Sequence, residues 1–165
     1  MACYINSGAT MTCGFAFGGI NKVYLGNFDE LSGVTYSGGV VSGFTGQLYE
    51  FEAVVDTSSL TEALTRNASS LYVKQTLNFQ LNSPTQQKIT LLNDLVNAWL
   101  FAVVQVSDGT YMLVGDTGRG IQAIDGTQIA TGAAQNDPYG ITVILEGATL
   151  GYAPTVSSAA VLANL

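Results

Sequence analysis

The chain contains no histidine, so the commonest general base and the commonest zinc ligand are both missing. Its two cysteines, Cys3 and Cys13, are too few to hold a metal. No basic-then-apolar leader is visible at Met1-Ala2-Cys3-Tyr4, so two free thiols are expected rather than a disulfide. No uninterrupted apolar run approaches the roughly 18 residues that signal a membrane span, and no membrane partner is expected. No serine sits in a nucleophile elbow. The loop Gly115-Asp116-Thr117-Gly118-Arg119-Gly120 lacks the Gly-Lys-Ser/Thr ending of a phosphate cradle, so it reads as a turn whose glycines supply positive φ. These absences point away from an enzyme and from any cofactor.

Charge is also scarce. Only 10% of the residues are Asp, Glu, Lys or Arg, against roughly 25% in an ordinary soluble domain. A surface short of charge is either merely polar or buried against partners, and interface cores are depleted in charged residues. Twelve acids face five bases, for a net charge of -7. The bases Lys22, Arg66, Lys74, Lys88 and Arg119 are scattered, which argues against tight nucleic-acid binding. An acidic surface past which DNA slides stays compatible with this balance.

With 165 residues, 47% of them apolar, the chain suffices for one domain, residues 1–165, with a real core. Residues 1–19 show no clear period and read as an N-terminal arm. Ile20 to Leu25 is a short strand with apolar contacts on both faces, and residues 29–46 form short β segments between Gly-Ser turns. Leu48 to Val55 is expected as a strand, with Tyr49, Phe51, Ala53 and Val55 facing the core and Glu50 and Glu52 opposite. Residues 56–70 form a long polar excursion, either a β-hairpin extension or a segment with a helical turn. Leu71 to Leu81 has the clearest period of two: Leu71, Val73, Leu77, Phe79 and Leu81 on one face, interrupted by Gln75, with Lys74, Thr76, Asn78 and Gln80 on the other.

Then the period lengthens. Ser83 as N-cap, Pro84 at the first helical position and Gln86 three after the cap announce a helix. Its apolar stripe runs Ile89, Leu92, Leu95, Val96 and Trp99, with Trp99 expected in the core. Leu100 to Val106 is a buried strand, Asp108-Gly109 a hairpin turn and Tyr111 to Val114 the return strand. Asn136 to Gly140 turns into a last strand from Ile141. Residues 154–165 read as a C-terminal arm. The sum is a mainly β chain, an antiparallel β-sandwich or barrel with one packed α-helix.

Glu50 and Glu52, about 7 Å apart on a strand, fall within the span of a carboxylate pair for glycoside chemistry. Alternate acids on a strand more often mark a solvent or lumen face, and that reading is preferred. Tyr36, Tyr49, Tyr111 and Tyr139 could serve a carbohydrate- or receptor-binding β-sandwich if they shared one face.

The order of elements resembles the tail tube fold of long-tailed phages: two long strands joined by an excursion, a capped helix, a compact hairpin and a final strand. Gly19 to Leu150 is also similar to small virion proteins from phages of Bacteroidetes-type hosts. That likeness rests on Gly18-Gly19-Ile20-Asn21-Lys22-Val23-Tyr24, Asp56-Thr57-Ser58-Ser59-Leu60-Thr61-Glu62 and the run Trp99 to Gly120. The resemblance implies a subunit of the virion tail, assembled in the host cytoplasm into rings, six-membered by expectation, that stack around a DNA conduit. Its partners would be copies of itself, other virion proteins and DNA passing without specific binding. It implies a lumen surface at Glu50, Glu52, Thr76, Asn78 and Gln80, from which Lys74 departs. It implies an inter-subunit loop at Asp56, Leu60, Glu62 and Leu64, with both terminal arms reaching adjacent rings. Other virion roles (head-tail connector, decoration or fibre attachment) fit the same build.

Overall fold

Five successive apolar residues, Leu100 to Val104, cannot all face one side of a sheet, and the fold is arranged so that both sides of this strand are covered. The computed structural model describes residues 7–9 and 18–165. Cys3, Cys13 and most of the expected arm 1–19 lie outside the described residues. In chain order the elements are β1 (Ile20–Asn27), β2 (Ser32–Ser37), β3 (Val40–Thr45), β4 (Tyr49–Phe51), β5 (Ser59–Arg66) and β6 (Leu71–Asn82). Helix α1 (Gln86–Asn97) leads to β7 (Leu100–Val106), β8 (Tyr111–Val114), β9 (Gln122–Ala123), β10 (Gln128–Ala130), β11 (Gly140–Thr149), β12 (Thr155–Val156) and helix α2 (Ser158–Leu162).

The strands form two sheets. One has seven strands in the order β2-β3-β12-β8-β7-β1-β4, and the other has four in the order β10-β11-β6-β5, with β9 also paired to β11. Pairing is antiparallel except for a parallel contact of β12 with β3 at Val156 and Val41. The expected mainly β sandwich with one substantial helix is therefore the fold that forms. Among the described residues no helix is long and apolar enough to cross a membrane.

Two cores meet at β7. Leu100, Ala102 and Val104 pack with Val23, Leu77, Phe79, Val143 and Leu145 between the sheets. Phe101 and Val103 point the other way, into a second cluster with Tyr24, Phe44, Leu113, Val156 and Val161. β1 does the same, which fulfils the two-sided reading of residues 20–25. A side chain at Gly26 would collide with the Phe101 ring and the Gln47 carbonyl, so glycine lets the sheet curl over that ring. Gly120, at φ +76°, brings the 115–120 loop against Leu100, where Leu100 and Ile121 exchange two 2.8 Å backbone hydrogen bonds. The loop is a turn, as its glycines implied.

Three local expectations need correction, and one open choice is decided. The strand expected over residues 48–55 is only Tyr49–Phe51, and Leu48 is buried while Tyr49 and Val55 are exposed. The cause is a turn at Val54–Thr57: Val54 N–H donates to Gln80 O, Thr57 Oγ1 donates to Val54 O at 2.6 Å, and Asp56 adopts φ 60°. This turn carries the chain from one sheet to the other. Of the two readings of the excursion at 56–70, the β-hairpin extension is the one that forms, with β5 paired to β6 from Ser59↔Asn78 to Arg66↔Leu71. Ser83 does not cap the helix, because it sits at φ 39° before Pro84. Thr85 is the cap, and its hydroxyl accepts from Lys88 N–H. The expected C-terminal arm, 154–165, is packed in: β12 enters the larger sheet, and Ala160 and Val161 of α2 are buried in the second core.

Trp99 is another departure. It lies just past α1 and is 41% exposed, because the helix buries only Leu95 fully while Leu92 packs at the core edge.

Gln75, the polar break in the apolar face of β6, is fully buried and cross-links the layers. Its side-chain carbonyl accepts from Gly115 N–H at 2.9 Å, and its Nε2 donates to Glu62 Oε1 at 2.7 Å. Glu62 Oε1 also accepts from Ala153 N–H at 2.7 Å. Gln75→Leu strands the Gly115 N–H and strips the Glu62 carboxylate of one donor. A loss of about 2–4 kcal/mol in unfolding free energy is expected from urea titration, since each orphaned buried group costs ~1–3 kcal/mol.

Burial raises the pKa of the neighbouring Asp116, opposed by its own backbone N–H and by the Tyr36 hydroxyl at 3.4 Å, and assisted by the charge of Glu62. The folded protein therefore binds this proton more readily than the unfolded chain, so the group disfavours folding above its folded pKa and the penalty fades as pH falls through it. Asp116→Asn is expected to raise the melting temperature at neutral pH. The gain over wild type should vanish on acidification through the carboxylate range, as followed by thermal melts across pH.

Candidate assembly surface

The register between β5, β6 and β11 builds a largely polar face on the outside of the smaller sheet. Ser59, Thr61, Ala63 and Thr65 of β5 stand opposite Asn78, Thr76, Lys74 and Tyr72 of β6. Thr142, Ile144, Glu146 and Ala148 of β11 stand opposite Gln80, Asn78, Thr76 and Lys74. Directly paired residues share a face in an antiparallel ladder, so three strands present mostly hydroxyl, amide and methyl groups, with Tyr72 and Ile144 among them. The two charged groups among them, Lys74 and Glu146, neutralise each other at 3.0 Å. Lys74, the departure in the sequence pattern, thus leaves no net charge on the face.

Thr76, Asn78 and Gln80 lie together on this face. Glu50 and Glu52 do not join them. Glu50 is on β4, at the edge of the other sheet, and its carboxylate holds Lys22 at 3.2 Å. The hydrogen bond and charge of Glu50 raise the Lys22 pKa. Glu52 follows the end of β4, and both acids line a cleft beside α1. The five residues expected at a lumen surface are therefore divided between the two sheets, because β4 pairs with β1 in the larger sheet while β6 belongs to the smaller.

The residues expected in an inter-subunit loop are likewise dispersed. Asp56 is in the crossing turn. Leu60 packs against the core, and Glu62 is consumed by Gln75 and Ala153 N–H. Asp56 and Leu64 stay exposed, Leu64 at 53%.

β5 is the last strand of its sheet, eight residues long. Among the described residues, no strand pairs with its second edge. Such an edge is a template for another strand unless charge, proline or a bulge blunts it. Here the outward side chains of β5 are Ser59, Thr61, Ala63 and Thr65, none of them charged, and its two charged residues, Glu62 and Arg66, lie on the inner face, where Glu62 is held by Gln75 and Ala153 N–H. The sequence contained this signal as an alternation from Ser59 to Arg66, hidden because inward-facing Glu62 reads as polar.

The tyrosines do not make a glycan platform. Tyr36 and Tyr49 sit on strands at opposite ends of the larger sheet's order, Tyr111 is half-buried, and Tyr139 lies in the turn before β11. Among the described residues no cluster of three Cys, Asp or Glu side chains is placed to hold a metal.

No protein-family model, curated protein or solved structure matches this chain.

Asn78 Oδ1 is buried in the middle of the polar face and has no hydrogen-bond partner among the described residues. An unpaired buried acceptor costs roughly 1–3 kcal/mol. Asn78→Val, beside Ile144, is expected to leave the isolated subunit as stable as wild type or more so by thermal melting. Where the face is covered by another copy, the same variant should weaken association, as read by sedimentation.

Proposed function

We propose that this chain is a structural subunit of a phage virion that works by associating with copies of itself, with a tail tube subunit as the preferred role. The carrying observation is the combination in the smaller sheet: a face with one internally neutralised ion pair, bordered by a long edge strand whose outward side chains carry no charge. A solitary protein with this edge invites uncontrolled strand addition. A closed ring gives the edge a partner in every subunit.

The remaining properties fit a conduit. The net charge of -7 disfavours DNA adhesion. Six-membered rings stacked along an axis would place sister copies at the sheet edges, other virion proteins at the ends and DNA in passage. No group in the fold needs to make or break bonds for this role. A connector, decoration or fibre-attachment protein would use the same edge and differ in copy number.

Negative-stain electron microscopy of the concentrated protein is expected to show rings or tubes with a lumen wide enough for duplex DNA. Sedimentation as a monomer at millimolar concentration would overturn the reading. Quantification of the chain in intact particles separates the roles, since a tube subunit is abundant and a connector scarce.

A further inference from the structure

The two ends of β6 carry complementary surfaces. At its start, the β5–β6 hairpin projects beyond the core. The register pairs Leu64 with Val73 and Arg66 with Leu71, so these four side chains share one face. Val73 is 3% exposed, whereas Leu64 and Leu71 are 53% and 55% exposed, which marks where the core stops. The tip is pre-shaped: Asn67 Oδ1 accepts from Ser69 N–H at 3.3 Å, Ser70 N–H at 2.9 Å and the Ser70 hydroxyl at 2.6 Å. A backbone hydrogen bond from Asn67 N–H to Ser70 O at 3.0 Å closes the turn. A fixed tip loses little freedom on docking.

At the other end of β6 lies a cleft of about 430 Å³ between α1 and the β1–β4 edge. Leu25, Phe51, Leu81, Leu95 and Leu100 floor it, with half-exposed Leu91 at its mouth. Glu50, Glu52 and Asp94 are its acids and Lys88 its base. Two of these charges are already engaged: Glu50 with Lys22, and the Lys88 ammonium with Asn82 O at 2.6 Å, Asn82 Oδ1 at 2.9 Å and Ser83 O. Glu52 and Asp94 have no salt bridge among the described residues. Of the chain's five bases, Lys22 and Lys74 are ion-paired and Lys88 is bound to these oxygens, which leaves Arg66 and Arg119. Arg66 is the one flanked by exposed leucines.

We propose that the hairpin end of one copy seats in the α1–β4 cleft of a second copy, with Leu64 and Leu71 on its apolar floor and Arg66 between Glu52 and Asp94. This rests on the self-assembly reading and names the partner surfaces. The two features are separated by the length of β6, roughly 36 Å at ~3.3 Å per residue. The contact is heterologous, so a seated pair keeps one free cleft and one free hairpin, and repetition runs end to end.

The test compares wild type with Arg66→Glu, with the double variant Glu52→Lys/Asp94→Lys and with Leu71→Ser, using sedimentation velocity over a concentration series. All four positions are exposed, and thermal melts verify folding. Each variant is expected to weaken association at least tenfold. A 1:1 mixture of Arg66→Glu with the Lys double variant should restore assembly, because the reversed charges meet across copies. If the charge variants fail to fold, Leu71→Ser alone decides. Wild type that assembles while the variants assemble equally well, a mixture that does not recover, or wild-type association that stops at a dimer overturns this contact and leaves self-assembly standing. A wild type that stays monomeric overturns self-assembly itself.

Discussion

β7 is buried on both sides, and most of the architecture follows from covering it. Five consecutive apolar side chains that alternate across a sheet demand a layer above and a layer below. The smaller sheet supplies one layer. The curl of the larger sheet, closed by β12 and α2, supplies the other. Removing either layer would leave half of the strand in water, at about 25 cal/mol per Å² of apolar surface. The C-terminal residues are thus part of the core that makes β7 stable, and they cannot also reach out as an arm.

That arrangement spends the apolar residues on two internal cores and leaves little charge for the outside. The smaller sheet faces outward with hydroxyls, amides and methyls, and its one ion pair is self-contained. The larger sheet keeps Lys22 and Glu50 for each other. Polar groups of this kind tolerate both water and a protein neighbour. An edge strand with uncharged outward side chains and an exposed hairpin end therefore suit repeated contacts between like subunits better than they suit recognition of a charged ligand.

Most strands were legible because period-two alternation survives any tertiary context in which one face is buried. Leu71 to Leu81 read correctly for that reason, as did the Asp108-Gly109 hairpin and the strand after Gly140. The misreadings share a cause. At Val55 and Trp99 the side chains are apolar but the chain has already turned away from the core. Leu64 and Leu71 alternate correctly, yet the facing sheet ends before it reaches them. Glu62 looks like a surface residue, and only the position of Gln75 and Ala153 N–H makes it an internal acceptor. Ser83 satisfies the capping pattern, yet its left-handed backbone before Pro84 passes the role to Thr85.

The sequence alone determined that the chain is β-rich, carries one substantial helix, lacks histidine chemistry and has little charge. These follow from composition and local periodicity, which depend on neighbours only a few residues away. Only the tertiary structure decided which strands share a sheet, that Glu50 and Glu52 stand apart from Thr76, Asn78 and Gln80, and that opposite ends of β6 carry a leucine-arginine tip and an acid-rimmed cleft. Those are matters of register and of where a layer ends, set by pairings between residues distant in the chain, and no local pattern encodes them.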